Sequence, residues 1–155
     1  MRKIIKVFVL AILITACSSS VDSNKKMAGD FLDLALSANP LDAQELTHPE
    51  FKFVFMGNTE ISNIPNDRDA YFDYWLPEVV GKLLPNGITL TTTDMIADDD
   101  GVAVIMEGDA EGINGEYDNK YVFVYKFKDG KIFSIHEYNS DCLLYTSPSP
   151  RDRSL

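Results

Sequence analysis

Residues Tyr117–Tyr138 read YDNKYVFVYKFKDGKIFSIHEY. Two strands and the turn between them can be taken directly from this run. Glu116–Lys128 alternates without a break, with Asn119, Tyr121, Phe123, Tyr125 and Phe127 on one face and Lys120, Val122, Val124, Lys126 and Lys128 on the other. Asp129-Gly130 is a two-residue hairpin signal. Lys131–Asn139 is then the returning strand. There Phe133, Ile135 and Glu137 alternate with Ser134, His136 and Tyr138, so Glu137 is expected to point inward at the end of an apolar row.

Upstream the pattern is still strand. Ile88–Ala97 is rich in Thr and β-branched residues, Asp98-Asp99-Asp100-Gly101 is a turn, Gly101–Glu111 returns, and Asn114-Gly115 marks a hairpin. Before these strands the period changes. Tyr71, Phe72, Trp75, Leu76, Val79, Val80, Leu83 and Leu84 form a wide helical stripe, capped by Asn66 or Asp67 and disturbed by Pro77. Phe51–Met56 alternates as a strand with Phe51, Phe53 and Phe55 on one face. Met27, Phe31, Leu34, Ala35 and Ala38 predict a first helix, ended by Asn39-Pro40, and Leu41–Thr47 has the length of a second, shorter one. Helices first and a long antiparallel meander afterwards give an α+β class.

The two ends differ from this domain. Arg2, Lys3 and Lys6 make a positive start, and Ile4–Ile14, nearly all apolar, is too short to span a bilayer and has the pattern of a secretion signal. It closes on Leu13-Ile14-Thr15-Ala16-Cys17, which resembles the lipobox of bacterial lipoproteins. The resemblance implies cleavage after residue 16, lipidation of Cys17 and, with Ser18 next, transfer to the outer membrane facing the periplasm. Residues 17–26 are polar and read as a tether, and 27–141 as the domain. After Asp141 the chain reads CLLYTSPSPRDRSL; residues 142–155 resemble a translated sequencing adapter and are expected to be non-native.

Composition narrows the partners. Residues 18–141 carry nine Lys and Arg against 23 Asp and Glu. So acidic a domain repels nucleic acid and anionic headgroups, leaving a lipid anchor to provide the membrane attachment. With Cys17 used for lipid and Cys142 in the tail, no cysteine remains for a disulfide or a thiolate zinc site. His48 and His136 are too few for a histidine site, so no metal or cofactor is expected.

The order of elements, with Tyr117-Asp118-Asn119-Lys120-Tyr121, Val122-Phe123-Val124-Tyr125, Asp129-Gly130-Lys131-Ile132 and Glu137-Tyr138, resembles the SnoaL-like and ketosteroid-isomerase-related families of the nuclear transport factor 2-like superfamily. The resemblance covers roughly residues 26–141. It implies a cone-shaped, curved antiparallel sheet wrapped around the N-terminal helices, a pocket at the cone mouth, and a homodimer through the outer sheet face. The enzymes of the superfamily are matched incompletely. The first helix has no tyrosine to act as the oxyanion donor of a ketosteroid isomerase. Arg68 is the one arginine of the domain and has no Asp–Arg–Asp set around it. The strand histidine, His136, is expected to face outward rather than to pair with an Asp in the pocket.

The residues then support two readings. In the first the pocket binds a small apolar or aromatic molecule, or the domain docks a partner, with Phe53 and Trp75 as walls and Asn119, Tyr121 and Glu137 as polar groups. In the second Glu137 is a general acid–base of a lyase, isomerase or hydrolase, with Tyr121 as donor. Structural roles compete with both. Glu137 can be a structural acid held by Asn119 or Tyr121, and Phe53 and Trp75 can be plain core. A folded spacer would instead fill the pocket with Met95, Met106 and phenylalanines.

Overall fold

A computed structural model describes residues 20–37 and 39–140. The signal segment, Cys17 and the 142–155 tail lie outside the described residues. Helix α1 covers residues 20–35, so it begins within the stretch read as a tether. The Lys26–Asp30 pair at i,i+4 ties the end of that stretch to the body of the helix. The buried side of α1 is Ala28, Phe31, Leu32 and Ala35, turned slightly from the expected stripe. Helix α2 is Leu41–Glu45.

Strand β1 (Thr47–Met56) follows, then a short edge strand β2 (Pro65–Asp67). Helix α3 covers residues 68–83. The Asp67 carboxylate caps it by accepting the Ala70 N–H at 2.9 Å. Its centre, Ala70–Val80, is a π-helix, and Gly81–Leu83 returns to α geometry. An α-helical turn would drive the Pro77 ring into the Asp73 carbonyl, and the wider turn relieves that clash. The expected kink at Pro77 is thus absorbed as a change of helical register.

The remaining strands are β3 (Thr89–Ala97), β4 (Val102–Asp109), the small hairpin β5 (Glu111–Gly112) and β6 (Gly115–Glu116), β7 (Asn119–Lys128) and β8 (Lys131–Tyr138). Asp129 and Gly130 both have positive φ, 52° and 71°, as the tight β7–β8 hairpin requires. Six strands form one curved sheet in the order β2-β1-β8-β7-β4-β3. All pairs are antiparallel except β1 and β8, which run parallel with Phe53 opposite Ile135 and Phe55 opposite Glu137. The expectation of an all-antiparallel sheet therefore needs this one amendment.

The helices pack on the inner face of the sheet. Phe31 sits at the centre, 6.1–6.4 Å from the rings of Phe51, Tyr71, Phe72 and Tyr125. Burying one such side chain contributes roughly 1.5–3 kcal/mol. Phe133 departs from the expected alternation. A bulge on β8 turns Ile132 into the core in its place, and Phe133 lies outside against His48 and Lys128.

Candidate functional site

The two ends of the sheet differ in chemistry. At one end lie the β3–β4 and β7–β8 turns. At the other, between α1, α3 and the sheet, is an apolar cavity of about 70 Å³. Its wall comes from Leu32 of α1 and Leu36 just after it, Trp75, Leu76, Val79 and Val80 of α3, and Phe55 and Phe123 of the sheet. Four groups interrupt this surface with polar atoms: Tyr71, the Tyr117–Tyr121 pair, Glu137 and Asn139.

Strand pairing places Glu137 there. It stands on the inner face between Phe55 of β1 and Phe123 of β7. Phe55 in turn lies 5.5 Å from Trp75. Among the described residues the carboxyl has one hydrogen bond, from Asn139 Nδ2 to Oε1 at 2.9 Å. Burial raises its pKa to about 8, opposed by that hydrogen bond, which favours the charged form. By surface area Glu137 is half-buried, because it borders the cavity. Water admitted to the cavity would therefore lower the pKa.

Tyr121 lies one inward position along β7 from Phe123, its ring stacked on it at 5.6 Å. Gly108 on β4 makes room for it: a Cβ there would come within 2.7 Å of the Tyr121 ring. The Tyr121 hydroxyl is held far above the ordinary phenol range by burial first, and then by Tyr117, its hydrogen-bond partner, and the nearby Glu137. Tyr71 is raised in the same way by burial and by Glu137. Both therefore remain phenols that can donate a hydrogen bond. Beneath them Tyr125 is fully buried, and among the described residues its hydroxyl has no hydrogen-bond partner.

The expected site residues separate accordingly. Trp75, Tyr121 and Glu137 line the cavity together. Phe53 does not; it is core, wedged between Tyr71 at 4.7 Å and Trp75 at 5.0 Å. Asn119 is inward and buried, but it staples the chain end, with Oδ1 accepting the N–H groups of Lys120 and Ser140 and Nδ2 donating to the Ser140 carbonyl. It therefore neither holds Glu137 nor lines the cavity. Asn139 does both. The same alternation that placed Glu137 inward extends two residues to Asn139, so the signal was present in the sequence.

His136 faces outward between Val54 and Val124, as its parity implies. His48 is not near the cavity mouth. It is buried in β1, its Nδ1 accepting the Glu50 N–H at 3.0 Å and its Nε2 3.6 Å from Asp129. Among the described residues no cluster of His, Cys, Asp and Glu could hold a metal ion, and no helix is long and apolar enough to cross a membrane.

A second, open cleft of about 570 Å³ adjoins the cavity. Leu36, Leu76, Val80, Leu84 and Ile88 border both and form the partition between them. Three of the five belong to α3 or the residue that follows it, and two of these lie in its π-helical segment.

This architecture has many solved counterparts. A protein from a soil-derived mobile gene cassette, Bal32a, superposes with a TM-score of 0.68 at 19% identity, over 79% of this chain and 92% of its own. A Bacillus subtilis protein described provisionally as an isomerase gives 0.66 at 20%, over 79% and 89%. A nuclear transport factor 2-like (NTF2-like) protein of Burkholderia xenovorans LB400 gives 0.62 at 14%, over 80% and 94%. At such identities the likeness shows the fold alone. No protein of curated function matches the chain in sequence. The sequence profile of the SnoaL-like domain matches residues 28–135, which contain the second half of α1, α2, α3 and nearly the whole sheet. The chain therefore belongs to the SnoaL-like domain family and carries its NTF2-like fold.

Proposed function

We propose that this is a lipid-anchored SnoaL-like domain that binds a small apolar or aromatic molecule carrying a hydrogen-bonding group. The observation behind this reading is a single carboxyl, Glu137, set in an apolar cavity with one protein hydrogen bond. Near neutral pH much of it is protonated and can donate to a ligand oxygen. Phe55, Trp75 and Phe123 supply ring surface, and the phenols of Tyr71 and Tyr121 are further donors. The cavity is about 70 Å³, whereas an apolar cavity that takes benzene is on the order of 150 Å³. A ligand of that size or larger therefore has to displace the Leu36–Ile88 partition and draw on the adjoining cleft.

A second reading has one specific observation in its favour. An acid raised to about 8 is poised for proton transfer at physiological pH, so Glu137 as general acid–base with Tyr121 as donor describes an enzyme built on the same residues. Native mass spectrometry of residues 18–141, before and after incubation with cell extract, tests the binding reading. A reproducible added mass that is lost in Glu137→Leu supports it and supplies the molecule for identification. A clean unliganded species that never acquires mass opposes it. Conversion of the identified molecule by the wild-type protein but not by Glu137→Gln would select the enzyme.

A further inference from the structure

Helix α1 fixes which way the cavity faces once the chain is anchored. The described helix begins at residue 20, so two residues, Ser18 and Ser19, separate it from Cys17. Whatever their conformation, three residue steps reach at most about 11 Å. The start of α1 is therefore held at the bilayer surface. The other end of the same helix carries the site. Leu32 and Leu36 line the cavity, and Ala35, Leu36 and Ser37 line the adjoining cleft. Gly29, one turn earlier, is already beside Met95, so the axis leads from the cavity toward residue 20. From residue 20 to residue 36 the rise is about 24 Å.

Charge does not separate the two ends: Glu107, Asp109, Glu111, Glu116 and Asp118 crowd the cavity end, and Asp98, Asp99, Asp100 and Asp129 the opposite one, so the orientation rests on the short reach from Cys17 and the direction of α1. We propose that the domain stands on the N-terminal end of α1 with its cavity and cleft facing away from the membrane, so that the ligand is a water-borne small molecule and not a lipid drawn from the bilayer. This rests on the reading of Cys17 as lipidated.

The test uses the full chain, purified with its lipid, on phosphatidylethanolamine–phosphatidylglycerol vesicles whose headgroups carry a nitroxide quencher. Flotation comes first: the wild type is expected to float and the unlipidated chain starting at Ser18 to remain behind. Trp75 is the one tryptophan, and it marks the cavity. Its fluorescence is expected to be unaffected by the quencher. A tryptophan moved to the start of α1, in Ser23→Trp with Trp75→Phe, is expected to be strongly quenched. A tether lengthened by a long Gly-Ser insert before residue 20 should relieve that quenching. If the Trp75→Phe background does not fold, spin labels on Ser23→Cys and Glu111→Cys in a Cys142→Ser chain give the same comparison. A wild type that floats while Trp75 is quenched as strongly as the residue-23 probe overturns the orientation but keeps the anchor. A wild type that does not float, or an unlipidated chain starting at Ser18 that does, removes the anchor and the orientation with it.

Discussion

Glu137 and Glu50 are the same side chain at opposite ends of the sheet, and the fold treats them in opposite ways. Glu50 is exposed beside the β7–β8 turn, where the Lys128 ammonium pairs with it and holds its pKa below the ordinary carboxylate range. Glu137 is enclosed by Phe55, Phe123 and Trp75, has an amide for a partner, and is raised to about 8. The cation at Glu50 is in water, where the pair contributes little to stability. The apolar wall at Glu137 removes water, and this penalises the charged form directly. The large displacement of Glu137 thus comes from exclusion of solvent, whereas the shift of Glu50 comes from a neighbouring charge.

Removing the wall should give the largest effect. Trp75→Ala is expected to cost about 3–5 kcal/mol in a denaturant titration, and the admitted water should lower the Glu137 pKa. Next is Glu137→Gln. The folded-state pKa of Glu137 lies above the unfolded value of about 4.5, so the wild type is most stable below that pH. It loses stability as pH rises toward about 8 and stays level above. The Gln variant should lack this slope and exceed the wild type above pH 8 by roughly 2–4 kcal/mol: at about 1.4 kcal/mol per pKa unit the full shift would give about 5, reduced because Glu137 is only half-buried. Thermal melts of both proteins from pH 4 to pH 9 measure the difference. A smaller change is expected for Tyr125→Phe, which removes a buried hydroxyl that has no hydrogen-bond partner among the described residues and should be neutral or stabilising by up to about 1 kcal/mol. Glu50→Gln should leave both the melting temperature and the pH profile where they were, the control that the comparison requires.

Local chemistry was legible in the sequence where it alone decides the structure. Asp129-Gly130 specified its hairpin, Asp67 was among the two caps expected, and strict alternation placed Tyr121 and Glu137 on the inner face. Long-range pairing was not. Nothing within β1 announces that it lies parallel to β8, eighty residues later in the chain, yet this pairing puts Phe55 beside Glu137. The β8 bulge was equally hidden: Ile132 and Phe133 are both apolar, and only packing chooses which one enters the core. Asn119 shows a different limit. Its inward face was read correctly, but the Ser140 backbone claims its amide, while Asn139 takes the partnership with Glu137. Parity gives the side of the sheet, and the hydrogen-bond partner depends on where the chain goes next.

Both the binding and the catalytic reading require that Glu137 be shielded from bulk water. An NMR titration of its side-chain carboxyl, assigned by comparison with Glu137→Gln, measures this without any ligand. A midpoint near 8 that moves higher in Asn139→Ala is the predicted result. A midpoint near 4.5, unmoved by that substitution, would mean that the carboxyl is solvated, and would contradict the enclosed acid on which the binding and the catalytic reading both rest.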